Sequence, residues 1–529
     1  MKATYIDYND TLNFPALLIK YLENDEHLKD FYGNRPTIEG FADQINNKSK
    51  SSTNRDILVK SLLRQQENTN ISDQSLANIQ LLSELNSYTI TTGHQLNIFT
   101  GPLYFIFKIA TAIKLTQDLK KQFPENNFIP VYWMASEDHD FEEINHTHVF
   151  NNTITWTKDA KGATGRLDLS DIHETVKAYQ NILGLSENSC KLSKIVENAY
   201  VQQSNLAEAT KSLVNQLFGE YGLVIIDADR PELKKLFTPV IKADIIEQNS
   251  AREVEKTSND LVKLGFQSQV HVRDINFFYL KDQFRERIIL NREGNYEVLN
   301  QNIFFSKENL IQEIEAHPER FSPNVIMRPL YQEIILPNLA YIGGGAEISY
   351  WMQLKGVFDF YKLDFPILIP RNSAMIADGK LSEKIYRLNF TFKSIFKKSE
   401  ALKKEYVRVH SKHRLNLNDE WREFTSLFEK IKLRAHKIDP SLGPSTDAIQ
   451  ARLKKAIDRL EKKLLKADQN NYTEALQQIE RVKDKLFPNG VLQERVENFG
   501  TYYVKYGDTF IKELIFHFKP LDFKFTVLY

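Results

Sequence analysis

The chain has 529 residues, with 69 basic and 69 acidic side chains and a single cysteine. That length calls for two or three domains, and the cancelling charge argues against a dedicated nucleic-acid binder. One cysteine, Cys190, excludes disulfide scaffolds and cysteine-ligated metal clusters, while the polar start at Met1–Asp10 and the absence of any long apolar run predict a cytoplasmic protein with no membrane partner.

Residues 1 to about 85 read as helices separated by polar loops, with a break at Pro36 and another near 47–53. From Tyr88 the pattern changes to alternating strands and helices. Thr91–Lys108 reads as a strand end, a glycine-bearing turn and a helix start. Gly93 and Gly101 permit close backbone approach, Pro102 suits a first helical position, and the opening N–H groups of the helix attract an anion. His94 and Gln95 are expected to face the same crevice. The helix from Pro102 to about Lys121 carries Leu103, Ile106, Phe107, Ala110, Ile113 and Leu119 near one face, as packing on a sheet requires.

Phe128–Ala135 is a nearly continuous apolar run of the kind needed by a strand buried on both faces. It ends in Ser136-Glu137-Asp138-His139-Asp140. Such charge at the end of a buried strand must be paired or used, and ligands of open α/β sheets bind at the carboxyl ends of strands. Asp138 and His139 are the first candidates for chemistry, with Glu137 beside them. A zinc site from Asp138, His139, Asp140 and His146 is a competing reading, disfavoured because adjacent residues of an extended segment diverge.

A third strand, Gly222–Asp227, also ends in charge, at Asp227, Asp229 and Arg230, and Pro231 opens a helix. Two insertions interrupt the core, near 141–220 and 240–335. The second holds an antiparallel meander predicted over Gln267–Leu280, Arg287–Leu290 and Tyr296–Leu299. A helix opened by Ser322-Pro323 and a strand over Leu336–Ile342 resume the core. Gly343, Gly344 and Gly345 then repeat the arrangement at Gly93. Glu347 lies near the helix start, where it either caps the helix or contacts a substrate ammonium. A strand over Phe365–Pro370 ends in Arg371, whose guanidinium is a fork for phosphate or carboxylate, with Asn372 and Ser373 sharing the anion or capping.

Beyond residue 374 long amphipathic helices take over. Ile449 to Ala467 and Ala475 to Leu486 step by threes and fours on either side of the polar break 468–472, predicting an antiparallel hairpin able to pair with its own copy. The last nine residues alternate as an edge strand would. The fold class expected is therefore α/β, a Rossmann-like parallel-sheet core over 1–373 with inserted connecting segments, followed by an α-helical coiled-coil domain over 374–529.

Several motifs in one order resemble the BshC family of bacillithiol biosynthesis, whose members are described as cysteine ligases. They are Thr92-Gly93-x-Gln95 with Gly101–Tyr104, Glu137–Asp140 with Glu142 and Asn145-His146, Gly343–Glu347, Pro370–Ser373, and Leu486–Gly490 with Gln493–Arg495. The resemblance covers essentially the whole chain. It implies a ligase that adds L-cysteine to the amine of glucosaminyl-malate, kinship to ATP-using synthetases, and a homodimer formed through the coiled coil. Relatives with Gln at position 94 cast His94 as a polar ligand contact. In this reading ATP or another nucleotide activates the carboxylate, and no metal site is assigned. Thr92, Gly93, His94, Gln95, Gly101, Tyr104, Lys108, Asp140, Gly343–Gly345, Glu347 and Arg371–Ser373 bind substrate or nucleotide, and Asp138 or His139 accepts the amine proton. The alternative is a non-catalytic dimeric coiled-coil protein that binds a small anionic metabolite or nucleotide.

Overall fold

A computed structural model describes residues 1–51, 53–67 and 71–529, so Ser52, within the break expected near 47–53, lies outside the described residues. The chain divides into two compact units, one comprising Met1–Met375 with Leu492–Leu528 and the other Ile376–Val491 with Tyr529.

Five parallel strands form the centre of the first unit: β1 (Ser87–His94), β2 (Asn127–Met134), β3 (Val224–Asp227), β4 (Asn338–Gly343) and β5 (Ile367–Pro370). Their spatial order is β5-β4-β1-β2-β3. The chain therefore builds outward from β1 in one direction, then returns to its other side with β4. This reversal between β1 and β4 is the switch point at which doubly wound sheets open a crevice. Burial on both faces explains the apolar runs: Ile129, Val131 and Trp133 of β2 join one core cluster, while Ile90, Ile342, Ile367 and Ile369 join another with Ala112, Leu115 and Leu119 of helix α1 (Tyr104–Gln122). Helices α2 (Pro231–Glu247), α3 (Met327–Ile335) and α4 (Gly345–Gln353) follow β3, precede β4 and follow β4 respectively.

Several local expectations are corrected. Ala3–Asp7, expected within a helical region, is a strand paired antiparallel with Lys524–Leu528, and the latter, expected as an edge strand, is the middle strand of a three-stranded sheet completed by Ala374–Ile376. The meander begins only at Phe277, because alternation at 267–276 has no partner strand. It runs Phe277–Lys281, Phe284–Leu290, Tyr296–Val298 and Ile303–Phe305. Phe321–Pro323 does not open a helix but adds to its edge beside Phe277–Tyr279, a position where proline's missing N–H costs nothing.

The segment Leu492–Leu528 lies with the first unit. Glu494, fully buried, binds Arg371 at 2.7 Å and accepts the Ala374 N–H at 3.0 Å. Asn498 donates to the carbonyls of Phe99 and Gly101, both at 2.7 Å, and accepts from Tyr179 and the Gly500 N–H. The turn it holds has three successive residues in the left-handed region, Phe99 (φ 51°), Thr100 (φ 71°) and Gly101 (φ 60°). A Cβ on Gly101 would sit 2.7 Å from that of Asn97.

In the second unit, α5 (Ser399–His410), α6 (Asn418–Ile438), α7 (Leu442–Gln469) and α8 (Thr473–Leu486) form the coiled-coil domain. The long antiparallel hairpin is α6 with α7, clipped by Lys432–Asp447 near its turn and by Glu461 accepting the Leu417 N–H at 2.7 Å. The expected pairing of 449–467 with 475–486 is not formed. Residues 470–472 make one 3-10 turn, and α8 packs on α5 through Lys403–Glu480.

Glu494→Ala would leave Arg371 charged and unpaired in the interior, and a loss of about 3–5 kcal/mol is expected from the urea midpoint followed by tryptophan fluorescence. Replacing both partners with apolar residues, Arg371→Met with Glu494→Leu, should recover most of it.

Candidate functional site

At the carboxyl ends of β1, β2 and β4 lies a crevice of about 360 Å³. Its wall carries Gly93, His94, Gln95, Lys108, Asp138 and Glu347 from the expected set, and Trp133, Arg328, Gln332, Tyr341, Tyr350 and Trp351 besides. Parallel register creates this convergence: Gly93 lies opposite Trp133 and His94 opposite Met134, so the loops leaving β1 and β2 start level with each other.

Lys108 reaches back from the first turns of α1 to the Gly93 carbonyl at 2.9 Å and pairs with Glu347 at 2.6 Å. Glu347 also takes the Tyr341 hydroxyl at 2.9 Å and the Gly344 N–H at 3.1 Å. Burial would push its carboxyl up, but Lys108 and these donors outweigh burial and hold it below the usual carboxylate range. The anion attracted by the Gly343–Gly345 helix start is therefore Glu347 of the chain itself. Lys108, expected to hold an external anion, is occupied by the same carboxylate.

Gln95 bridges Asp138 at 3.0 Å and Glu143 at 2.8 Å. Asp138 also accepts the His139 backbone N–H and faces Arg285 at 3.8 Å. Burial raises the Asp138 carboxyl, yet hydrogen bonding from His139, the Arg328 and Arg285 charges and Gln95 together hold it well below the usual range. It is thus an anion at any ordinary pH. His139 is half-exposed, and its Nδ1 stands 2.9 Å from the Arg285 guanidinium, which can only donate. That nitrogen accepts a hydrogen bond from Arg285. Arg285 is itself pulled down by burial to about 10, with Asp138 and Glu137 opposing, and lies 3.9 Å over the Phe278 ring.

His94 packs against Tyr104 and Phe105, and burial, with the charges of Lys108 and Arg371, holds its imidazole well below the ordinary histidine value. It is neutral, and its buried Nε2 has no hydrogen-bond partner.

The remaining expected residues lie outside this wall. Thr92 donates to the Ile342 carbonyl and ties β1 to β4. Gly101 shapes the turn held by Asn498, and Tyr104 lies under the Arg371 guanidinium. Glu137 is paired with fully buried Lys234, and Asp140 is exposed at the start of the short helix Phe141–Ile144. Arg371, Asn372 and Ser373 are buried: Arg371 is held by Glu494 and the Ser373 hydroxyl, and the Asn372 N–H is taken by Thr111. The anion fork expected at Arg371 is already filled by a carboxylate of the chain.

The zinc reading from Asp138, His139, Asp140 and His146 finds no support, since no group of three or more such side chains among the described residues is placed to hold a metal. Cys190 is exposed and stands apart from the crevice.

Sequence reasoning passed over Arg328. Its guanidinium lines the crevice, and no hydrogen bond or ion pair to it is seen among the described residues. A signal was present: Arg328 is the second residue of α3, and a cation in the first helical turn opposes the dipole. Such a placement needs a compensating anion, and here Asp138 supplies only longer-range attraction.

Because the Asp138 carboxyl is lowered in the folded chain, its ionised form contributes stability that is complete above the unfolded value near 4. It is lost as pH falls through the lower folded value. The stability gap between the native chain and Asp138→Asn is therefore expected to be constant from about pH 7 to 5 and to shrink at about pH 3, as read by urea midpoints.

Residues 1–372 match the family model described as Bacillithiol biosynthesis BshC, N-terminal Rossmann-like domain, and residues 374–529 match its C-terminal coiled-coil domain. A relative from Flavobacterium psychrophilum, named "Putative cysteine ligase BshC", is 42% identical over 100% of this chain and 99% of its own length. Relatives of the same name from Flavobacterium johnsoniae and Salinibacter ruber are 42% and 30% identical, covering 100% and 95% of this chain and 100% and 94% of their own lengths. No helix of the described residues is long and apolar enough to cross a membrane. Full-length identity and both domain matches agree with the parallel sheet, its order and the helical second unit: the chain belongs to the BshC family of bacillithiol biosynthesis, a family of ligases.

Proposed function

We propose that the crevice at the β1–β4 switch point joins L-cysteine to the amine of glucosaminyl-malate. The observation that carries this reading is the pairing of an unengaged guanidinium, Arg328, with an ionised carboxylate, Asp138, on one aromatic-walled crevice. Glucosaminyl-malate offers the complement of both, carboxylates at one end and an ammonium at the other. Arg328 takes a malate carboxylate as a two-toothed fork, and Asp138, fixed by Gln95, receives the amine in its protonated form.

Amide formation needs the cysteine carboxyl made electrophilic, and a nucleoside triphosphate would supply that activation, the carboxylate oxygen bonding to its α-phosphorus with loss of pyrophosphate or to its γ-phosphorus with loss of the nucleoside diphosphate. The ammonium gives up one proton to solvent water, the neutral amine nitrogen bonds to the acyl carbon and the activating group departs. An amine that has begun this attack is far more acidic than before, so a weak, neutral acceptor suffices for its proton. Solvent water takes that proton, His94 stays a neutral polar contact, and Asp138, held ionised far below neutrality, acts as an anchor. Trp133, Tyr350 and Trp351 limit water around the activated carboxyl, which water would hydrolyse.

Incubation with glucosaminyl-malate, cysteine and ATP should yield bacillithiol by mass spectrometry, and omitting the nucleotide should stop it. Arg328→Ala is expected to raise the KM for glucosaminyl-malate by roughly 30-fold or more, the loss of a charge-assisted fork, with Arg328→Lys between. A folded Arg328→Ala variant with unchanged KM would sink the assignment. Substrate binding without product under any nucleotide would favour the non-catalytic alternative.

We also propose that the α6–α7 hairpin pairs with a second copy. Leu427, Ile431, Leu433 and Ile438 on α6 and Ile449 and Leu460 on α7 remain exposed despite their apolar character. Sedimentation velocity should report a dimer for the native chain and a monomer for Leu427→Glu with Ile431→Glu; an unchanged mass for this variant would place the interface elsewhere.

A further inference from the structure

A second polar cavity, of about 480 Å³, opens at the carboxyl end of β3 and shares no wall residue with the crevice. Three cationic side chains line it, Arg64, Lys211 and Arg230. Lys211 is nearly fully buried and is engaged, holding Glu208 at 2.6 Å and the Gln65 carbonyl. Arg64 is exposed, and its guanidinium has no hydrogen bond or ion pair among the described residues. Arg230 stands 3.4 Å from Asp227 and 3.8 Å from Glu208, too far for good hydrogen bonds, and its buried Nε has no partner. The two carboxylates on the wall have partners of their own, Glu208 in Lys211 and Glu232 in the Ser61 hydroxyl at 2.8 Å.

Arg230 and Pro231 begin α2, which has no side-chain cap at its N-terminus, and Asn205 on the same wall caps the helix Leu206–Phe218. Both helices begin at this cavity, and each first turn already carries an acid, Glu232 on α2 and Glu208 on the helix Leu206–Phe218, so the unmet positive charge there rests on the two guanidinium groups. Donors on Arg230 and on Arg64 reach the cavity from separate elements, so an acceptor there can be met from more than one direction. A planar carboxylate is met best by coplanar donors, whereas a tetrahedral phosphate accepts from several directions.

We infer that this cavity is a binding site for a small molecule carrying a phosphate group, separate from the crevice in which amide formation is proposed. Its fate does not depend on that function. Asp227 connects the two places: its carboxylate faces Arg230 and accepts the hydroxyl of Ser136, two residues before Asp138.

Pyrophosphate and inorganic phosphate are the probes, titrated calorimetrically into the full-length protein at low salt. Saturable binding of pyrophosphate is expected, weakened about tenfold or more by Arg64→Ala, the equivalent of one charge-assisted hydrogen bond. Arg64 is exposed and unengaged, so this variant keeps its fold. Arg230→Gln should weaken binding likewise, and Arg328→Ala in the crevice should leave it unchanged. Absence of saturation to about 10 mM overturns the proposal, since weaker binding falls below any specific site. So does loss of binding in Arg328→Ala with retention in Arg64→Ala, which would put the anion in the crevice. Displacement by malate as readily as by phosphate would overturn the assignment to a phosphate group.

Discussion

The buried pair of Arg371 and Glu494 is the constraint on which the crevice rests. Both groups are almost wholly removed from water, so neither can be left without the other. Desolvation makes such a pair a weak source of net stability, but its requirement for a partner is strong, and that fixes geometry. Arg371 follows β5, while Glu494 belongs to a segment more than a hundred residues later. Their contact brings the returning chain under the β1 and β4 loops, where Asn498 can hold the Phe99–Gly101 turn. Left-handed backbone at Phe99 and Thr100 costs on the order of 1 kcal/mol or more each, and two short hydrogen bonds from a fully buried amide offset it. The turn so held is the one that follows His94 and Gln95.

Charge in the crevice is divided between groups that satisfy one another and groups that do not. Lys108 and Glu347 close on each other and on main-chain partners, so their role is to keep the ends of β1 and β4 in register. Asp138 is stabilised by two hydrogen-bond donors and nearby cations and stays ionised, whereas the Arg328 guanidinium has no partner among the described residues. A site that holds one fixed anion beside one unmet cation is complementary to a molecule bearing both charges. That preorganisation comes before any ligand arrives, so its energetic cost is met in folding rather than at each turnover.

The strands and the ends of strands were legible in the sequence because burial on both faces enforces uninterrupted apolar runs, as at Phe128–Ala135 and Phe365–Pro370. The glycine turns and the Glu137–Asp140 cluster were legible for the same reason, since they interrupt those runs. What could not be read was which charges cancel. Lys108 and Glu347 are 239 positions apart, and Arg371 and Glu494 are 123 apart; nothing local distinguishes the two basic residues from free cations. Lys108 and Arg371 were each expected to hold an external anion and instead hold a carboxylate of the chain. Arg328 was passed over because it lies inside a helix rather than at a strand end, although its place in the first turn was a local clue. Period-based reading also erred where partners decide: 267–276 alternates like a strand but meets none, and α7 chooses α6 over α8.

The roles of the two carboxylates on the crevice wall follow from their donors rather than from their residue type. Glu347 receives an ammonium, a phenol and a backbone N–H, a set that consumes its oxygens and leaves it nothing for a ligand. Asp138 receives a backbone N–H and an amide, with the Arg285 cation farther off at 3.8 Å, so its charge is stabilised while room remains for another donor. A carboxylate stabilised that far binds an ammonium tightly and removes its proton poorly, because the same interactions that hold its charge oppose its protonation.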